Sequence, residues 1–207
     1  MIFKNKKELI ESLNINSTMS VLDVGFFGQA VKEDSTEWPH ALLKAKTNSV
    51  YGLDLEFDTG KYPSPFYIEA SAEDFSFPVK FDIIFAGDLI EHLSNPGLFL
   101  SACKNHLKEG GRLVLTTPNA FSFFSIIEKI THDEPNVNPD HTLYFNKKVL
   151  AVLMQKNGIH SYDFAYLYTL GTLWKGGLKR KLLASIYSLV SKVTPKFLED
   201  LVVIAKI

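Results

Sequence analysis

The stretch FDIIFAGDLIEHLSNPGLFLSACKNHLKEGGRLVLTTPN (residues 81–119) decides the fold. FDIIFAG is an apolar run ending in Gly, the pattern of a strand buried on both faces of a parallel sheet. Residues 96–107 read as a helix, which the glycines of LKEGG stop. RLVLTT (residues 112–117) is a second apolar strand. Strand, helix and strand in this order make one crossover unit of a parallel sheet.

The same alternation extends outward in both directions. Upstream lie SVLDVG (residues 20–25), SVYGLDL (residues 49–55) and a weaker FYIEA (residues 66–70), with a helical stretch over residues 38–46. The opening MIFKNKKELIESL has the charge pattern of an amphipathic helix. Downstream, a helix over residues 147–156 stops at Asn157-Gly158, and strands follow at SYDFAYLY (residues 161–168) and LVVIAKI (residues 201–207). The prediction is an α/β fold with a doubly wound, mostly parallel sheet in one domain over residues 1–207. Ligands of such sheets sit at the carboxyl ends of the strands. Residues 118–146 and 165–198 interrupt the alternation and are expected to form a substrate cap or a partner contact.

Composition narrows the function classes. The chain has 207 residues and a net charge of −1, which excludes a uniform basic coat for nucleic acid but not a local patch; DNA is not expected as a partner. One cysteine, Cys103, excludes an internal disulfide framework and a cysteine-cluster zinc site. It stands at helical spacing with Leu100 and Leu107, as a core thiol would. No leader pattern and no apolar run of spanning length is visible, so a cytoplasmic protein is expected, with peripheral membrane contact as a variant. Charge is uneven along the chain. Residues 51–91 carry nine acids and two lysines, whereas residues 165–198 carry six basic residues and no acid. Within the basic stretch, Leu178, Leu182, Ile186, Leu189, Val190 and Val193 recur at near-helical spacing. Residues 175–196 therefore read either as a helix packed on the sheet with a solvated basic face, or as a contact for an anionic membrane, a lipid-linked glycan or RNA phosphates. Sixteen Phe and eight Tyr foreshadow an apolar cavity.

A nucleotide site is signalled by strand-end residues. The first SVLDVG strand delivers Asp23 and Gly25 to the sheet edge, followed by Gly28, and glycine there lets backbone approach a ligand. The next strand ends in Asp54, placed to accept hydrogen bonds from both hydroxyls of a ribose. The segments VLDVGFFGQA, VYGLDLE, SAEDFSF and the 81–119 block together resemble the class I S-adenosylmethionine-dependent methyltransferases. The ending FLEDLVVIAKI is similar to that family's antiparallel seventh strand. The resemblance covers residues 19–158 and the last ten, and residues 161–198 only loosely. It implies a seven-stranded sheet with S-adenosylmethionine as cofactor. Asp23 and Gly25 would hold the amino acid end of that cofactor, Asp54 the ribose, Leu55 one face of the adenine, and Ser71, Ala72 and Glu73 its edge. Phe27 stands where the family often has glycine, with Gly28 serving through a shifted turn, and Gly87 joins the set from the end of its strand. Trp38 and His40, which open the 38–46 helix near this site, read equally as packing and capping or as cofactor contacts.

A second constellation points to proton or metal chemistry. In a helical turn Asp88, Glu91 and His92 share one face, and His141 follows in PDHTLYF. The pattern resembles small-RNA 2′-O-methyltransferases and ubiquinone-biosynthesis O-methyltransferases. It implies a divalent metal (Mg²⁺, Mn²⁺ or Zn²⁺) held by Asp88, Glu91, His92 and His141. Two further readings stand beside it: a metal-free base at His92 or His141, and a purely structural role. The expected reaction is O-methylation of a glycan or small metabolite. An RNA 2′-hydroxyl acceptor and a non-catalytic cofactor-binding module are the alternatives. TTPN is not the Asn/Asp-Pro-Pro-aromatic motif of amino-methylating enzymes, and the missing G-x-G-x-x-G speaks against a nicotinamide oxidoreductase.

Overall fold

In a computed structural model of the chain, residues 1–27, 37–132, 138–168 and 178–207 are described. The elements run β1 (Ile2–Phe3), α1 (Lys6–Ser12), β2 (Val21–Val24), α2 (Pro39–Lys44), β3 (Val50–Asp54), β4 (Tyr67–Glu69) and β5 (Phe81–Gly87). They continue with a 3₁₀ turn (Ile90–His92), α3 (Pro96–His106), β6 (Leu107–Pro118), α4 (Phe123–Thr131) and α5 (Lys147–Lys156). The chain closes with β7 (Ser161–Leu167), α6 (Leu178–Val193), a second 3₁₀ turn (Pro195–Phe197) and β8 (Asp200–Lys206). The sheet order is β1-β7-β8-β6-β5-β2-β3-β4. β8 is antiparallel to both β6 and β7, and all other pairings are parallel.

The expected seven strands are present, and a two-residue strand joins them at the edge as an eighth. That edge strand corrects the reading of the first residues as one helix. Asn5 is extended and its side chain accepts from the Glu8 amide, so α1 starts only at Lys6. Phe3 is buried against the face of the sheet that carries α1 and α2.

Period-two alternation divides the core between the two faces. On β5, Ile83 and Phe85 face α1 and α2, with Leu9, Leu43, Val21 and Val202. Ile84 and Ala86 face the other side, with Leu22, Val24, Phe99, Leu115 and Met154. Cys103 lies in this second core, as its spacing predicted. Burial of each such Leu, Ile or Phe contributes about 1.5–3 kcal/mol. A third, aromatic cluster of Phe26, Trp38, Phe57, Tyr62 and Tyr67 lies beside the turn after β2. Gly52 is required there: a Cβ on it would lie 2.6 Å from Tyr67 and 2.8 Å from Phe26.

The two interrupting stretches differ from expectation in detail. Residues 118–146 contain α4, an amphipathic helix none of whose residues is fully buried. Of the apolar set picked out by spacing, the side chains of Leu178 and Val193 lie outside the described residues, and the described members are not buried by α6. It packs through Ala184, Tyr187 and Ser191, with Tyr187 against Phe123, Phe124, Tyr168 and Leu198. Leu182 (63% exposed), Ile186 and Leu189 (66% exposed) face outward instead. No helix of the described residues is long and apolar enough to cross a membrane.

Candidate functional site

Two cavities open at the carboxyl edge of the central strands. The first, about 300 Å³, is lined by Gly25, Asp54, Leu55, Ser71, Ala72, Glu73 and His92, among others. Gly25 follows β2 with φ 72°, a left-handed conformation natural to glycine, and its amide donates to the Leu53 carbonyl. This turns the chain away from the strand and opens the cleft. The Asp54 carboxylate accepts from the Phe27 amide (2.8 Å) and the Leu55 amide (2.8 Å). Burial pushes its pKa up, against the pull of these amide bonds. Glu73 accepts from the Asn95 amide at 2.8 Å, which ties the cleft wall to the start of α3.

Of the residues expected to hold the cofactor, Gly25, Asp54, Leu55, Ser71, Ala72 and Glu73 are thus brought together. Phe27 adjoins them through its amide bond to Asp54. Gly28 lies outside the described residues. Gly87 ends β5 beside the Lys6 amine, and it is not part of the cleft wall.

Asp23 is a correction. It alternates away from Leu22 and Val24 toward the α2 face and is completely buried, so its carboxylate is not part of the cleft wall. One oxygen meets His40 Nδ1 at 3.0 Å, and His40 Nε2 meets the Tyr67 hydroxyl at 3.0 Å. The other oxygen has no hydrogen-bond partner among the described residues. Burial raises the Asp23 pKa, and His40 pulls against that rise. Asp23, His40 and Tyr67 therefore form a polar pillar beneath the turn after β2, and Trp38 braces it by donating to the Phe26 carbonyl. Packing accounts for both Trp38 and His40.

The second cavity, about 420 Å³, is lined by Glu91, His141, Asn119, Phe121, Ile126, Leu143 and Tyr144, among others. Glu91 and His141 line this cavity, while the neighbouring His92 lines the first. The Glu91 carbonyl accepts from the amides of Thr142 (2.9 Å) and Leu143 (3.1 Å), which pins the His141 loop against the 3₁₀ turn. The His92 and His141 rings stand perpendicular with centroids 4.6 Å apart. One ligand atom from each of Glu91, His92 and His141 lies within 4.8 Å of the others. Glu91 is buried. One of its oxygens accepts from Thr117 Oγ1 at 2.8 Å and the other has no partner among the described residues. Burial, reinforced by Asp88, pushes the Glu91 pKa up to about 7. Burial and the neighbouring His92 hold His141 below the usual imidazole value.

Asp88 is not in this group, contrary to the four-ligand expectation. It has φ 51°, and the helical turn starts only at Ile90, so Asp88 does not share a face with Glu91 and His92. Its carboxylate is held by Lys6 Nζ (2.7 Å) and Thr116 Oγ1 (2.6 Å). Burial alone would lower the Lys6 pKa, but Asp88 outweighs it and the amine sits above its ordinary value. Lys6 and Thr117 were missed by the sequence reading. They are 82 and 26 residues from their partners, and only the sheet brings them there.

The family model described as a methyltransferase domain matches residues 4–160. The chain belongs to the class I S-adenosylmethionine-dependent methyltransferases. Its cofactor is accordingly S-adenosylmethionine. A mitochondrial ubiquinone biosynthesis O-methyltransferase of Schizosaccharomyces pombe is 27% identical over 119 residues, covering 53% of this chain and 42% of that protein. The ubiquinone biosynthesis O-methyltransferase of Colwellia psychrerythraea is 25% identical over 172 residues, covering 75% of this chain and 67% of that protein. The chain spans about half the length, or less, of most of the curated relatives it matches. A solved S-adenosylmethionine-dependent methyltransferase of Archaeoglobus fulgidus superposes with TM-score 0.63 at 18% identity, over 98% of this chain and 92% of that one. At that identity it shows the shared methyltransferase fold.

Proposed function

We propose that the protein transfers the methyl group of S-adenosylmethionine to a hydroxyl oxygen of a small metabolite or glycan held in the Glu91–His141 cavity. One observation carries this reading: Glu91, His92 and His141 stand between the cofactor cleft and a second, largely apolar cavity. Methyl transfer is an in-line displacement, so alignment of the acceptor with the sulfonium supplies much of the rate. Phe121, Ile126 and Leu143 give the acceptor side an apolar wall. A hydroxyl acceptor must also lose a proton. His141, held neutral at pH 7, accepts it, and the perpendicular His92 ring fixes its orientation. Thr117 orients the Glu91 carboxylate, which contributes an oxygen to the same cluster.

The donor set also suits a divalent cation. One carboxylate and two imidazoles would hold Mg²⁺, Mn²⁺ or Zn²⁺, with Asp88 excluded by its bond to Lys6. When bound, such an ion lowers the pKa of a coordinated hydroxyl. The cavity's modest size and apolar walls favour a small acceptor over an RNA strand.

The test is release of S-adenosylhomocysteine with a panel of catechols, hydroxylated aromatics and saccharides, in the presence and absence of a chelator. His141→Ala is expected to lower kcat while cofactor binding is kept. No release with any hydroxyl acceptor, or release unaffected by His141→Ala, would overturn the assignment. Calorimetric failure to bind S-adenosylmethionine would leave a non-catalytic module.

A further inference from the structure

We propose that the acceptor is an amphiphile whose far end carries a phosphate, bound in a basic groove that continues the acceptor cavity. This rests on the methyl-transfer reading above and specifies its substrate class. The groove, about 740 Å³, shares Asn119, Phe121 and Ile126 with the acceptor cavity, so the two adjoin across these side chains. A molecule lying along it passes Phe121, whose ring is 58% exposed, and reaches Tyr166 and Phe197.

The far end is cationic. Lys147, Lys148 and Lys196 line it, and no acidic residue does. None of the three amines has a carboxylate partner among the described residues. Two are seated on aromatic faces, Lys147 Nζ 5.1 Å from the Phe164 ring centre and Lys196 Nζ 5.5 Å from that of Phe197.

Helix polarity supplies a second, independent argument. Lys147 and Lys148 occupy the first turn of α5, which contains no acid. The amino end of a helix carries positive potential and favours acids, so two lysines there oppose the dipole. The Asn146 side chain already takes the Lys148 and Val149 amides, which leaves the field and the amines for an external anion. Three cations match a phosphate, which carries close to two negative charges at neutral pH, better than a single carboxylate.

The probes are decyl phosphate below its micellar concentration, decanol, decanoate and inorganic phosphate, each titrated calorimetrically into protein loaded with S-adenosylhomocysteine. Decyl phosphate is expected to bind about tenfold more tightly than decanol, with decanoate between them, and the advantage should fall as salt is raised. Lys147→Glu/Lys148→Glu, both exposed positions, should remove the phosphate advantage and leave decanol binding unchanged. Phe121→Ala should weaken both ligands. Equal binding of decyl phosphate and decanol overturns the proposal, as does a phosphate preference that survives the double variant. Binding to anionic vesicles without binding to monomeric decyl phosphate overturns it in favour of a lipid surface. The readout involves no methyl transfer, so a groove that binds as described beside an inactive His141 site would count against the reaction alone.

Discussion

Glu91 should make the protein less stable as pH rises, and replacing it should reverse that. The carboxyl is buried with one oxygen lacking a partner, and its pKa stands at about 7 against an ordinary value of 4.5. A raised acid binds its proton more tightly in the folded state. The folded protein is therefore favoured below pH 4.5 and loses this advantage as pH climbs through 7. Integrating between those values gives a penalty of about 3 kcal/mol at pH 8 and under about 1 kcal/mol at pH 5. Glu91→Gln keeps an acceptor for Thr117 and removes the charge, so it should be more stable than wild type at pH 8 and nearly equal at pH 5. For a domain of this size, 3 kcal/mol corresponds to roughly 6–12 °C in Tm. The assay is thermal melting at pH 5, 6, 7 and 8 in chelator, with urea titrations at the two ends. Adding Mg²⁺, Mn²⁺ or Zn²⁺ should raise the wild-type Tm at pH 8 and leave the variant unmoved, as linkage demands of an ion bound only by the folded state. A variant that is destabilised equally at every pH would refute the argument, because it would show that Glu91 is held as a well-compensated carboxylate.

Other perturbations follow from the same geometry. Asp54→Ala removes the carboxylate that caps Phe27 and lines the cofactor cleft, and should weaken S-adenosylmethionine binding by about 10–100-fold in calorimetry. His40→Leu leaves the buried Asp23 carboxylate without its cation-capable partner and should cost about 3–5 kcal/mol in urea unfolding, whereas Asp23→Asn/His40→Gln should recover much of it. Gly52→Ala forces Tyr67 and Phe26 apart and should cost about 1–3 kcal/mol, read as a lower Tm with weaker cofactor binding.

What was legible in the sequence was whatever depends on local pattern. The apolar runs ending in Gly25, Asp54 and Gly87 mark β2, β3 and β5, because a strand covered on both faces needs apolar side chains at nearly every position. The α5 bounds were readable because Asn157-Gly158 is a local stop, and Gly158 does take a left-handed φ of 73°. Glu91 and His92 were legible as neighbours in sequence. What hid was whatever the sheet assembles from a distance. Asp23 and Asp54 both lie near the carboxyl ends of their strands, yet pleat direction sends one under the turn and the other into the cleft. Asp88 was misplaced because spacing assumes a regular turn, and a single left-handed residue breaks the assumption. On α6 the spacing found an apolar stripe, but Tyr187 made the contact, since one large ring fills the space that small-residue periodicity cannot foresee.

The bond between Lys6 and Asp88 gives the first residues of the chain a place in the chemistry. Asp88 helps to raise the Glu91 pKa, and Lys6 acts against that rise. β1, at the sheet edge, and the Asn5 cap set the start of α1, from which the Lys6 amine reaches the end of central strand β5. Any fusion, cleavage or amine modification that disturbs residues 1–6 would therefore reset the proton affinity of the site as well as fray an edge strand. A preparation that differs only at its amino end should show a displaced pH optimum, a difference easily mistaken for a change in acceptor preference.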